Sequence, residues 1–221
     1  MKALITGTSQ GIGKATAEKF LKNKIEVIGV DLQNATIKNK KYTHYKCDIA
    51  DFRQRITDLD FIIHNAGIQQ GYNVLDTNLT ATIRLDTFYR KLNLQLKADT
   101  FNTSISGIYG DEFPAYVASK AGLNGYVKYV AKQLMPSGIA NAVCFGGVLT
   151  ELNKPVIEDK EAWEKIMKVN PLKRWATVEE AADWIYFVTV INKFATGQLF
   201  EIDGGENSCP ASTFVWTDQK E

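Results

Sequence analysis

Lys2-Ala3-Leu4-Ile5-Thr6-Gly7-Thr8-Ser9-Gln10-Gly11-Ile12-Gly13-Lys14 is the stretch on which the fold turns. A short apolar run reads as a strand entering a turn, and a helical pattern over 12–21 begins before the glycines end. Glycines let the backbone turn tightly and approach a pyrophosphate, whose charge the free amides of a helix N-terminus then meet. The spacing is not the G-x-G-x-x-G fingerprint, so a plain strand-to-helix turn stands as the alternative reading.

Working outward, β-branched runs alternate with longer helical patterns. Strands are predicted over 2–6, 25–31, 42–47, 61–64, 100–104, 140–145 and 198–202. Helices are predicted over 12–21, 74–96, 116–135 and 178–191, the last opening with the capping box Thr177-x-x-Glu180. No repeat, low-complexity stretch or linker interrupts the series. The expected fold is α/β: one domain over 1–221, a doubly wound parallel sheet of Rossmann type with about seven strands and helices on both faces. Ligands of such sheets bind outside the carboxyl ends of the strands, where the strand order reverses.

Composition narrows the function. The 221 residues carry 26 Lys+Arg against 25 Asp+Glu, with 45% hydrophobic residues. A net charge of +1 gives no overall field for holding nucleic acid or an anionic membrane. The most apolar run, around 184–191, falls far short of the ~20 residues that cross a bilayer, and the N-terminal run is too short for an export signal. The expected address is cytoplasmic. Cys47, Cys144 and Cys209 form neither a disulfide framework nor a zinc-site spacing, and no metal is expected.

Asp31 ends the second strand about 20 residues past Gly11, where a carboxylate can accept both hydroxyls of an adenosine ribose and repels a 2′-phosphate. With Leu32 beside it and no Arg, NAD(H) is preferred over NADP(H). A turn or helix-cap carboxylate is the structural alternative. Glycines after strand one and an acid after strand two also suit an S-adenosylmethionine-dependent methyltransferase, so the decision falls to the catalytic half.

Tyr-x-x-x-Lys occurs twice, about as often as chance provides. Tyr42/Lys46 lies in a predicted strand, where the two residues stand ~13 Å apart. Tyr116/Lys120 lies at a helix start, where i and i+4 are ~6 Å neighbours. An ammonium held close to a phenol favours the phenolate and lowers its pKa, so Tyr116 could exchange a proton with an alcohol or carbonyl. Ser104, closing the fifth strand twelve residues earlier, could orient the substrate oxygen.

With these residues in view, the chain resembles the short-chain dehydrogenase/reductase family over nearly its whole length. The ordered motifs are Thr6-Gly-x-x-x-Gly-Ile-Gly13, Asp48, Asn65-Ala66-Gly67, Ser104 and Tyr116-x-x-x-Lys120, followed by Thr196-Gly197-Gln198 and Asp203-Gly204-Gly205. The resemblance implies a cofactor cradle of Gly7, Gln10, Gly11, Ile12, Gly13, Asp31 and Leu32. It places Asp48 and Ile49 on the adenine, Asn65, Ala66 and Gly67 at the sheet centre, and Val148 and Thr150 on the nicotinamide amide. Tyr116 and Lys120 would also contact the coenzyme, Lys120 through the nicotinamide ribose. Asn78 corresponds to the family's helix asparagine, which anchors a water for proton relay, and completes a catalytic set with Ser104, Tyr116 and Lys120.

The chain departs from the family pattern at several points. It reads Phe145-Gly146-Gly147-Val148-Leu149-Thr150 where Pro-Gly is usual ahead of the threonine. His64 stands where asparagine is common, and is read as a strand residue without catalytic duty because no carboxylate partner is visible. The 48–65 connection has room for only a short helix, and the 67–78 connection is trimmed.

The expected reaction is hydride transfer between NAD(H) and a small alcohol or ketone, and a 3-oxoacyl-carrier-protein-type reductase using NAD(P)H is the alternative. A dinucleotide-sensing regulator without turnover is the alternative from another class. Residues 151–171, with Trp163, Ile166, Met167 and Val169, read as an amphipathic substrate lid or a surface helix packed on the core. The 206–221 tail carries Phe214, Val215 and Trp216, which would be buried on a partner subunit of a homodimer or homotetramer, or on the chain's own domain.

Overall fold

The computed structural model describes residues 1–207 and Cys209. Its elements run β1 (Lys2–Thr6), α1 (Gly11–Lys22), β2 (Glu26–Asp31), β3 (Tyr42–Lys46), β4 (Phe61–His64), a π-helical turn (Asp76–Ala81), α2 (Thr82–Leu92) and β5 (Ala98–Ser104). They continue with α3 (Ser106–Tyr109), α4 (Pro114–Leu134), β6 (Ile139–Phe145), α5 (Lys154–Glu158), α6 (Lys160–Val169), α7 (Val178–Tyr186), a second π-helical turn (Phe187–Ile191) and β7 (Leu199–Ile202).

All seven strands pair in parallel in the order β3-β2-β1-β4-β5-β6-β7. The chain winds outward from β1 to β3, then returns to the other side of β1 with β4. The reversal opens a crevice between the carboxyl ends of β1 and β4, where Gly7 and Asn65 emerge. Strands buried on both faces read as continuous apolar runs, as in Phe61-Ile62-Ile63. Phe20 of α1 packs edge-on against Phe61 and Tyr186, while Leu85 and Tyr89 of α2 close the opposite face with Leu4 and Ile62.

Two expected helices change at their ends. The helix predicted over 74–96 starts as a π-turn and stops at Leu92, where the Asn93 amide donates to Tyr89 and Ile56 carbonyls and accepts from the Leu59 amide. The helix predicted over 178–191 turns π-helical after Tyr186, where the Thr189 hydroxyl donates back to the Ile185 carbonyl at 2.6 Å. No helix forms between Asp48 and Phe61, in the connection that leaves room for only a short one. The carbonyls it needs are taken by Tyr89 at Gln54, Asn93 at Ile56 and Gln95 at Thr57.

The capping box at Thr177 and Glu180 forms as expected. No described helix is long and apolar enough to cross a membrane. Phe214, Val215 and Trp216 lie outside the described residues.

Candidate active site

A cleft of about 710 Å³ opens over the carboxyl ends of the strands. At its floor the glycine turn is held by side chains as well as by its own conformation. Gly7 and Gly11 adopt positive φ of 74° and 55°. Gly13 is bare for a packing reason: a Cβ there would stand 2.0 Å from the Gly7 carbonyl oxygen and 2.3 Å from Asn65 Nδ2. The first turn of α1 has no capping side chain and no acidic residue, which leaves its amides free for an anion. These features fit a dinucleotide pyrophosphate.

Asn65 ties the two halves of the site together. Its amide donates to the carbonyls of Thr6 and Gly7 at 3.0 and 3.2 Å, and its Oδ1 accepts from Asn102 Nδ2 at 2.7 Å. The Asn102 carbonyl in turn accepts from Lys120 Nζ at 3.0 Å. A continuous hydrogen-bonded path therefore joins the glycine turn to the lysine of α4. Tyr42 supports the turn from outside, its hydroxyl 2.8 Å from Thr8 Oγ1.

Asp31 stands at the cleft wall beside Leu32, its two oxygens accepting the Ser9 and Gln33 amides at 2.9 Å each. It serves the turn and faces the ligand space together. Gln10, Ile12, Asp48, Ile49, Ala66, Gly67, Val148 and Thr150 line the same cleft. So do Ser104, Tyr116 and Lys120. Phe145 and Gly146 line it too, in place of the usual proline and glycine.

Asn78 is not part of this lining. It is buried, and its amide brackets Ile68, accepting from that residue's N–H and donating to its carbonyl at 2.8 Å, with a further bond to Ser119 Oγ at 3.1 Å. Ser119 Oγ donates to the Tyr116 carbonyl at 2.7 Å. Asn78 thus joins the loop after β4 to the helix turn that carries Tyr116.

The electrostatics correct one expectation. Lys120 Nζ lies 5.5 Å from the Tyr116 ring centroid, but its ammonium is turned to the Asn102 carbonyl. Burial pulls the Lys120 pKa down to about 8. The Tyr116 phenol is raised rather than lowered, by burial first and by Glu112 second, while a hydrogen bond to Ser104 works the other way. Protein groups alone keep the phenol protonated. Desolvation and Glu112 outweigh the Ser104 hydrogen bond.

His64 corrects another. Its Nε2 stands 3.1 Å from Asp99 Oδ1 and 3.7 Å from Asp86 Oδ1, with all three side chains buried. Asp86 also takes Arg90 Nε at 2.8 Å and the Tyr126 hydroxyl. Asp99 on β5 lies 35 positions away and Asp86 on α2 lies 22, so local spacing gave no sign of them. Asn102 escaped the sequence reading too, although an asparagine in a central strand between Phe101 and Thr103 was a usable signal.

Comparison with known proteins agrees with this architecture. The family model described as enoyl-(acyl carrier protein) reductase matches residues 7–207. The 3-oxoacyl-(acyl-carrier-protein) reductase of Synechocystis is 30% identical, over 92% of this chain and 95% of its own. The 3-oxoacyl-(acyl-carrier-protein) reductase FabG of Salmonella typhimurium is 26% identical, over 92% and 96%. A crystal structure of a short chain dehydrogenase family protein from Francisella tularensis superposes with a TM-score of 0.84 at 29% identity, covering 94% of this chain and 98% of that one. The chain belongs to the short-chain dehydrogenase/reductase family of oxidoreductases.

Proposed function

We propose that the protein transfers hydride between NAD(H) and a small alcohol or ketone, with Tyr116 moving the proton. The observation that carries this reading is the meeting of Ser104, Tyr116 and Lys120 in one cleft with the uncapped glycine turn. Gly7 to Gly13 would hold the pyrophosphate, Asp31 the adenosine ribose, Asp48 and Ile49 the adenine, and Val148 and Thr150 the nicotinamide end. Once bound, the coenzyme supplies or accepts the hydride.

The residues of the chain do the rest. Ser104 Oγ, which donates to Ser106 Oγ at 3.0 Å, turns that hydroxyl to the substrate oxygen when a substrate enters. Tyr116, kept protonated by its surroundings, donates its O–H to that oxygen as a carbonyl becomes an alcohol. Lys120 stabilises the phenolate left behind, and Asn78 fixes the helix turn on which Tyr116 sits. A regulator that only senses dinucleotide has no use for such a set.

NAD(H) is favoured because the Asp31 carboxylate repels a 2′-phosphate and Lys120 is the sole Lys or Arg among the described residues of the cleft. Residues 151–171 form the lid: Glu151, Leu152, Asn153, Val156 and Ile166 wall the cleft, and Gln69 Nε2 donates across to Asn153 Oδ1 at 3.2 Å. Assembly as a homodimer or homotetramer and a cytoplasmic address belong to the same reading.

A 3-oxoacyl-thioester reductase is the second reading, favoured by the names of the curated relatives. Tyr116→Phe tests the core of both. The variant is expected to bind NADH as the parent does and to lose nearly all turnover across a carbonyl panel. Undiminished turnover would remove Tyr116 from the proposed role.

A further inference from the structure

Ser104 has no hydrogen to spare. A hydroxyl offers one O–H and two lone pairs. The Ser104 O–H points at Ser106 Oγ, 3.0 Å away, with the Phe145 carbonyl as a second acceptor at 3.4 Å, and its oxygen accepts the Ser106 backbone N–H at 3.1 Å. Both serines line the cleft, yet they are only 5% and 1% exposed. A substrate oxygen entering the cleft therefore meets a Ser104 hydrogen that is already committed.

Packing holds Ser106 in place. It opens α3, and Gly107 beside it is bare because a Cβ there would stand 2.6 Å from the Ala121 amide nitrogen and from the Lys120 carbonyl carbon. The start of α3 thus lies directly on the α4 turn of Lys120. On the other side the Ile105 amide donates to the Phe145 carbonyl at 3.1 Å. Packing this close leaves the two Oγ atoms little room to part, so the pair responds to a ligand by rotating its O–H bonds.

We propose that Ser106 is a positioning residue for the reaction, acting through Ser104: when substrate enters, the Ser106 O–H turns onto Ser104 Oγ and the Ser104 O–H turns onto the substrate oxygen. The proposal rests on the hydride-transfer reading above and extends it by one residue. No covalent bond changes in this exchange. Two O–H bonds rotate, and the proton of the new alcohol still comes from Tyr116. The contact between the two Oγ atoms survives with its direction reversed, so neither buried hydroxyl loses its partner.

The exchange acts on the rate because negative charge grows on the substrate oxygen while a carbonyl becomes an alcohol. A Ser104 hydroxyl that itself receives a hydrogen bond is the stronger donor, since hydrogen bonds in a chain polarise one another. The growing charge is then met by two hydroxyls in line, at a buried site where such donors count most. Ser106 also serves the Glu112 carboxyl. Glu112 is exposed, so water takes the serine's place there when the O–H turns.

The test measures the single-turnover rate of NADH oxidation by the full chain at saturating ketone, so that product release does not mask the chemical step. Ser106→Ala keeps the backbone N–H on Ser104 and removes only the hydroxyl. It should slow that rate about five- to tenfold, the worth of one neutral hydrogen bond, with ketone KM and NADH affinity within about twofold of the parent. Ser106→Cys fills the space with a weak donor and should be as slow as Ser106→Ala. In a Ser104→Ala background, Ser106→Ala should cost no more than about twofold, because its route to the substrate is already gone. A parental rate in Ser106→Ala or Ser106→Cys, or the full loss repeated in the Ser104→Ala background, overturns the positioning role and leaves hydride transfer standing. If the parent reduces no ketone, the hydride-transfer reading fails and the role of Ser106 falls with it.

Discussion

His64 and Asp99 face each other across neighbouring strands, Nε2 3.1 Å from Oδ1, both side chains buried beneath the helices that carry Asp86 and Tyr126. Despite a desolvation cost, the two carboxylates raise the His64 pKa to about 9. Burial and Asp86 raise Asp99 to about 8. A base raised in the fold stabilises fully below its unfolded value near 6.5 and loses that contribution as pH climbs to about 9. An acid raised in the fold loses its contribution as pH climbs from about 4 to about 8. Both act in one direction, so Tm should fall between pH 6.5 and 9. Asp99→Asn, which holds the neutral form permanently, should flatten that fall. A Tm that stays level in the parent across this range would refute the account.

Asp86 is the anchor of the same cluster. His64 and Arg90 hold its carboxyl well below the usual range, and removing it would leave His64, Arg90 Nε and the Tyr126 hydroxyl short of a partner. Asp86→Ala should cost about 3–5 kcal/mol in urea unfolding, as expected when one member of a buried charge group is deleted. A loss below about 1 kcal/mol would mean that water reaches the cluster.

The parts of this molecule that were legible in the sequence are those set by local chemistry. Strand periodicity gave all seven strands within about two residues, and the glycine turn, Asp31 and Tyr116/Lys120 fell where strand ends put them. Contacts between distant residues were not legible. His64 meets Asp99 and Asp86 only because β4, β5 and α2 stack there, and the Asn65–Asn102–Lys120 path needs three elements in register. The Tyr116 error has the same origin. Sequence spacing places a lysine near a phenol, but the balance of desolvation and charge depends on what encloses them both.

In the proposed site Asp31 selects the coenzyme. With its carboxylate at the cleft wall, Asp31→Ser combined with Leu32→Arg should reverse the NADH/NADPH preference in kcat/KM, moving the ratio by about a hundredfold. Asp31→Ser alone should lower NADH use, partly because the Ser9 and Gln33 amides lose their acceptor. Parent enzyme that already prefers NADPH would assign Asp31 to the turn and not to the ribose.

Two glycines separate packing from propensity. At Gly13 a methyl group meets backbone, the Gly7 carbonyl oxygen at 2.0 Å, and the Asn65 amide that holds the turn closed. Neither can retreat without opening the path to Lys120. Gly13→Ala should therefore destabilise by about 1–3 kcal/mol and weaken NADH binding at least tenfold. Gly125 lies within α4 with nothing inside 4 Å of an added Cβ. Gly125→Ala should stabilise by about 0.5–1 kcal/mol, because alanine favours the helix and meets no obstacle. Urea unfolding with a fluorescence titration of NADH reads both effects. A Gly13→Ala variant as stable as the parent and binding NADH equally would show that the glycine turn yields and that Asn65 does not clamp it, and a loss at Gly125 would overturn the helix account there.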